Sequence, residues 1–200
     1  EAIWIDPSQR DEARTLGYTV VDSSTAIATH LNKILRDNAA DLLSHDETQQ
    51  LLDKLAKKYP KLVEDLVPTK LTLGAITKVL QNLLAEEVSI RDIRTIVETL
   101  SEESGKTQDP EQLTSLIRPK LGRMIVQNLV ETQESLPVMT LEPQLEQLLH
   151  NAIQQGNQQG PMLEPGLAEN LFKAMKDAVR EVEEQNNPAV LVVSPAIRPW

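Results

Sequence analysis

KVLQNLLAEEVSIRDIRTIVETL, residues 78–100, holds two amphipathic helix patterns that meet across a four-residue turn. Before the turn Leu73, Ile76, Leu80, Leu83 and Leu84 recur at helical spacing, and after it Ile90, Ile93, Val97 and Leu100 do the same. Each helix therefore has an apolar face that needs a partner, and each is half of a bundle. Ser89 stands where an N-cap is expected, with Asp92 three residues on to reach back to free backbone N–H groups.

Composition bounds what surrounds this pair. Two hundred residues with 40% hydrophobic content suffice for one or two cores. No apolar run approaches the roughly 18 residues that span a bilayer, and EAIWIDPSQR lacks the basic and apolar regions of a signal peptide. The chain has no cysteine, which removes disulfides, thiolate metal sites and thiol nucleophiles and fits a reducing compartment. A net charge of −10 disfavours binding to a phosphate backbone. Aromatic residues are few, so the core must be built from Leu, Ile and Val, and base-stacking platforms are not expected.

Taken in order, Asp6-Pro7-Ser8-Gln9 reads as an N-cap, a proline at N1 and a capping-box glutamine, opening a short helix that ends at Gly17. Ala2–Ile5 and Tyr18–Val21 read as strands on either side of it. Two strands alone do not make a sheet, so the chain is expected to begin inside a domain whose larger part lies upstream. Asp22 or Ser23 caps a long helix whose stripe is Ile27, Leu31, Ile34, Leu35, Leu42 and Leu43. Asp46 with Gln49 starts the next helix, and Pro60 and Pro68 bracket a short one. Thr72 caps the helix that enters the opening pair, with Leu71 stapling onto Ile76. Asp109-Pro110-Glu111-Gln112 repeats the cap and proline arrangement, and Pro119 predicts a kink or break in the helix that follows.

The last third repeats a unit of strand, proline and helix. Leu141-Glu142-Pro143 follows a strand over Val138–Leu141, and Leu163-Glu164-Pro165 follows a very short one at Met162-Leu163. QQGNQQG, residues 154–160, separates the copies as a polar linker. Ala189–Val193 reads as a strand buried on both faces, followed by a helix start at Ser194-Pro195. The fold class is α+β and mainly helical. Residues 1–22 read as the end of an upstream α/β subdomain, residues 23–104 as an all-helical one, and the rest as a C-terminal α/β subdomain that also looks incomplete.

Chemistry is sparse. His30, His45 and His150 have no metal-ligand spacing, and Ser44-His45-Asp46 are chain neighbours whose side chains diverge, with Asp46 read as a cap. The pairs Glu64/Asp65, Glu86/Glu87 and Glu102/Glu103 read as solvated helix faces rather than an acid and a base. No GxGxxG or GKS/GKT sequence is present. The opening pair also has the outline of a helix-turn-helix, with Arg91 and Arg94 in the first turn of the second helix. Glu86, Glu87, Asp92 and Glu98 surround these arginines, so packing outweighs DNA reading. Neither an enzyme, nor a cofactor, nor a metal is expected.

GYTVVDSSTAIATHL (17–31), QQLLDKL (49–55), LVEDLVP (62–68), the opening stretch and VLVVSPAIRPW (190–200) together resemble the FlhA (FHIPEP) family of flagellar type III export-gate proteins and its injectisome relatives. The match runs in order over nearly the whole chain, and LVP with VLQNLL looks flagellar rather than injectisome. The resemblance implies a piece of the cytoplasmic region that follows a multi-span domain in the bacterial inner membrane. It implies a ring-forming, non-enzymatic platform that docks export chaperones with their bound flagellar subunits, alongside other export-apparatus proteins, without nucleic acid. Contact with the membrane would come only through the absent N-terminal half. By the same resemblance Val21, Ala26 and Thr29 contribute to chaperone and substrate docking, Ala26 standing where the family commonly has valine. Arg91 and Arg94 become candidates for contacts within or between subunits. The resemblance also implies that 1–22 closes one subdomain, that the helical subdomain covers 23–108 and that 109–200 begins the last one, while Pro119 departs from the family pattern.

Overall fold

The computed structural model describes residues 3–130, 135–156, 163–185 and 187–198. They fall into two compact units, Glu1–Lys120 and Leu121–Trp200. The first unit contains a 3₁₀ turn over Pro7–Gln9 and eight described helices: α1 Arg10–Thr15, α2 Ser23–Asp37, α3 Ala39–Leu42, α4 His45–Ala56, α5 Pro60–Leu66, α6 Leu73–Ala85, α7 Ile93–Glu103 and α8 Pro110–Lys120.

The opening stretch is the centre of this unit. α6 packs on α3, α4 and α8, while α7 packs on α4, α5 and α8. Ile76, Val79, Leu80 and Leu83 of α6 and Ile96, Val97 and Leu100 of α7 are fully buried, joined by Leu52, Leu66, Leu113 and Ile117 from the surrounding helices. Val79 and Ile96 lie outside the single stripe read from the sequence. A helix covered by neighbours on several sides is apolar over more than one face, and α6 is such a helix. α8 belongs to this packing, and the first unit includes Pro110–Lys120.

The turn differs from its sequence reading. α6 stops at Ala85 and α7 starts at Ile93, so the connection covers 86–92 rather than four residues. Glu87 takes a left-handed conformation, φ 55°. The Val88 N–H donates to the Leu83 carbonyl at 2.8 Å and the Glu87 N–H to that of Leu84 at 3.0 Å, the two bonds of a Schellman ending. Val88 is buried by this ending, and the following residues carry the chain back. The N-cap is Asp92, accepting from the Thr95 N–H at 3.2 Å and the Thr95 hydroxyl at 2.7 Å. Ser89, the predicted cap, accepts only the Arg91 N–H at 3.4 Å, outside the helix.

Other caps follow the same physics. Asp6 with Gln9, Asp22 and Thr72 cap where expected, and Gly17 has φ 88° just past α1. At α4 the box is Ser44 with Glu47, not Asp46 with Gln49, because Ser44 is the residue with extended backbone there. The expected long helix from residue 23 divides at Asn38 into α2 and α3. The expected strand at 18–21 is absent, and the described part of Ala2–Ile5 forms none either. A ladder needs a hydrogen-bonding partner strand, and none of the described residues supplies one there. Pro119 lies one residue before the end of α8, and the chain breaks at Leu121 before the next helix.

The second unit comprises α9 Gly122–Leu129, β1 Met139–Thr140, α10 Pro143–Gln155, α11 Pro165–Glu184 and β2 Leu191–Val192. β1 and β2 pair in parallel, Met139 opposite Leu191 and Thr140 opposite Val192. Both long helices start with proline at N1, and Glu142 and Glu164 share one extended conformation, φ −60° and ψ 137°, as a residue before proline should. Met162 and linker residues 157–160 lie outside the described residues, and Leu163 is in no strand. β2 is shorter than predicted and not buried on both faces: Leu191 is half-buried and Val192 exposed, since β1 is its one neighbour among the described strands. Residues 195–198 form a turn at Ser194-Pro195, whose Ser194 N–H donates to Glu146 Oε1 at 3.1 Å.

Candidate docking surface

α2 begins because Asp22 has extended backbone and its carboxylate accepts both the N–H and the hydroxyl of Thr25 at 2.8 Å. These bonds hold the Asp22 carboxyl below its ordinary value of 3.8. Val21 sits just before the cap and is exposed. Ala26 and Thr29 follow three residues apart, so the 3.6-residue period puts them on one face of α2, with Lys33 and Arg36. Ala26 is half-buried and Thr29 exposed. The structure thus places two of the three proposed docking residues together and the third at the entrance to the same helix.

The opposite face of α2 carries Ile27, Leu31, Ile34 and Leu35. The sequence marks these residues as an apolar stripe, and they are 63%, 53%, 44% and 46% exposed. Among the described elements α2 packs appreciably on α3 alone. Trp4, Leu16 and Tyr18 are exposed too, so large apolar side chains stay open along residues 3–42. Sequence periodicity finds such a stripe and is silent on whether anything covers it.

Arg91 and Arg94 diverge in role. Arg94 Nε donates to Glu98 at 2.7 Å and its terminal nitrogen to the Tyr59 hydroxyl at 3.1 Å, with its guanidinium 4.6 Å from the centre of the Tyr59 ring. The Glu98 carboxylate, and secondarily Tyr59, raise the Arg94 pKa. Arg94 thereby fastens α7 to the start of α5. Arg91 is exposed, and among the described residues its side chain enters no such contact. Tyr59 was missed from sequence, because a residue at a helix boundary gives no periodic signal of a cation thirty-five positions away.

Ser44, His45 and Asp46 form no triad: Ser44 serves the cap of α4, accepting the Asp46 N–H at 3.2 Å and contacting Glu47. Among the described residues no group of three His, Asp or Glu side chains is placed to hold a metal. Glu86 pairs with Arg118 and Glu103 with Lys106. In the second unit an apolar groove of about 260 Å³ is lined by Met139, Leu145, Leu171, Met175, Val179 and Leu191 among others. No helix among the described residues is long and apolar enough to cross a membrane.

This is a mainly helical fold with a small parallel ladder and an open, amphipathic helix near its start. The chain belongs to the FHIPEP family, whose profile matches residues 1–200. It is 46% identical over 198 residues to the flagellar biosynthesis protein FlhA of Escherichia coli (strain K12), covering 99% of this chain and 28% of that protein. It is 35% identical over 198 residues to the FlhA of Bacillus subtilis (strain 168), covering 98% of this chain and 29% of that protein. The chain therefore spans less than a third of these relatives. Among solved structures it is similar to nonameric EPEC SctV-C, with TM-score 0.74, 26% identity and coverage of 96% of this chain and 66% of that one. A Chlamydia pneumoniae CdsV chain solved in complex with CdsO has TM-score 0.84 at 23% identity, covering 98% and 58%, a likeness of fold.

Proposed function

We propose that this chain is part of the cytoplasmic platform of a flagellar type III export gate, docking chaperone–subunit complexes on their way to the membrane channel. The observation that carries the reading is the family match across residues 1–200, joined to 46% identity with a flagellar relative. The nonameric state named for SctV-C supports self-association into a ring, and the complex named for CdsV supports contact with another export-apparatus protein. The relatives' identity favours a flagellar gate over an injectisome one. The intact protein would sit in the bacterial inner membrane with this part on the cytoplasmic face. It acts by recognition and needs no cofactor: chaperones meet Val21, Ala26 and Thr29 at the start of α2, where two of these side chains are open to solvent.

The test is calorimetry of a flagellar chaperone against the complete cytoplasmic region. Thr29→Met should weaken binding, because a bulkier side chain at an exposed interface position changes the shape presented to the partner. Unchanged affinity rejects the assignment of this face.

A further inference from the structure

The sequence KLAKKYPK, residues 54–61, concentrates four lysines and no acid within a chain of net charge −10. Lys54 lies in the last turn of α4, Lys57 caps it, Lys58 follows, and Lys61 lies in the first turn of α5. All four are exposed, and the side chain of none enters an ion pair or hydrogen bond among the described residues. Lysines three and four apart on a helical path repel one another, so the cluster costs the fold something and gives it no bond in return. Tyr59 stands in their midst, 37% exposed, with Arg94 against its ring.

We propose that the corner between α4 and α5 is a contact surface for anionic lipid headgroups, a second membrane contact beside the N-terminal half to which the family resemblance confines it. The chemistry of the cations decides the partner. Recognition of a discrete phosphate or carboxylate uses the guanidinium fork, and here the nearby Arg94 is already engaged by Glu98 and the Tyr59 hydroxyl. What remains is a set of flexible point charges around an amphipathic ring, at an exposed corner rather than in a cleft. That suits a diffuse anionic surface, into which lysine stems and a tyrosine ring can settle. A nucleic acid duplex fits less well. Asp53, Glu64, Asp65, Asp92 and Glu98 lie on the elements that flank the corner, so the run of contacts along a backbone would be short. The affinity of one small basic patch is modest but measurable on vesicles rich in acidic lipid, and holding the protein at a bilayer, a condition that rests on the membrane-bound reading above, raises its occupancy further.

Flotation of this 200-residue chain with phosphatidylcholine vesicles and with phosphatidylglycerol-rich ones provides the test. Binding is expected to the anionic vesicles alone, and to fall as salt is raised. Replacing Lys54, Lys57, Lys58 and Lys61 with Gln should reduce partitioning by about tenfold or more, and replacing them with Arg should preserve it. A matched variant with Lys78, Lys106, Lys120 and Lys173 changed to Gln carries the same net charge and should bind as the parent does. Equal loss in both Gln variants, no preference for anionic vesicles, or capture of an acidic peptide or duplex without vesicle binding overturns the proposal. The membrane-bound reading fails separately, if the full reading frame encodes no spanning helices.

Discussion

Glu87 is the described non-glycine residue held at positive φ, and it is held there by the two bonds that end α6. An L side chain in that region costs about 1–2 kcal/mol, and an acid at a helix C-terminus is also unfavourable to the helix dipole. Glycine would remove both penalties while gaining freedom in the unfolded chain. Glu87→Gly should therefore raise stability by about 1 kcal/mol, read as a higher urea midpoint at unchanged slope. A lower midpoint would show that the Glu87 side chain does more than occupy the turn. Asp22 offers a second test at this scale. Its folded carboxyl lies below the ordinary 3.8, so its contribution is present above that value and is lost as pH falls through the folded one. Helical ellipticity from α2 should fall on acidification below about 3.8, and Asp22→Asn, a cap that does not titrate, should flatten that part of the profile. Identical acid transitions for parent and variant would remove Asp22 from the account.

At the scale of elements, two leucines in similar helical patterns carry opposite consequences. Leu80 of α6 is fully buried where α3, α4 and α8 meet that helix, whereas Leu31 of α2 is 53% exposed. Leu80→Ala should cost about 2–5 kcal/mol in chemical denaturation, and Leu31→Ala less than about 1 kcal/mol. Comparable losses would mean that the stripe of α2 is covered. The contrast marks what periodicity encodes. It locates helices and their apolar faces, and side-chain caps such as Asp6, Asp22 and Thr72 fix several starts. Where two capping residues lie close together, as Ser89 and Asp92 or Ser44 and Asp46, the choice depends on which has extended backbone or where the preceding helix releases the chain. Val88 decides it for the first pair by closing α6 in the core. The proposed docking face comes only from the family resemblance, since nothing in the spacing of Ala26 and Thr29 distinguishes them from any solvated face. The Tyr59–Arg94 contact needed the packing of α5 on α7 before it could exist.

Across the first unit as a whole, stability is concentrated around α6 and α7 and thins toward residue 3. α2 has fifteen residues and its apolar face is largely open, and a helix of that length is marginal when packing does not support it. Its cap and N-terminal bonds define where it starts without lending it the burial that α6 has. Local opening of α2 should therefore need far less free energy than opening of α6, which exchanges its buried amides only when the bundle gives way. Hydrogen exchange read by mass spectrometry should show peptides from 23–37 labelling at least about tenfold faster than peptides from 73–85. A docking helix of low intrinsic stability would gain protection when a chaperone seats on it, and the same measurement with chaperone added should slow exchange in 23–37 while leaving 73–85 unchanged. Slow exchange in α2 without a partner would have a different meaning: its exposed leucines and isoleucines would be covered by a second copy. Dilution then separates the two cases, because protection from self-association falls with protein concentration and intrinsic protection does not.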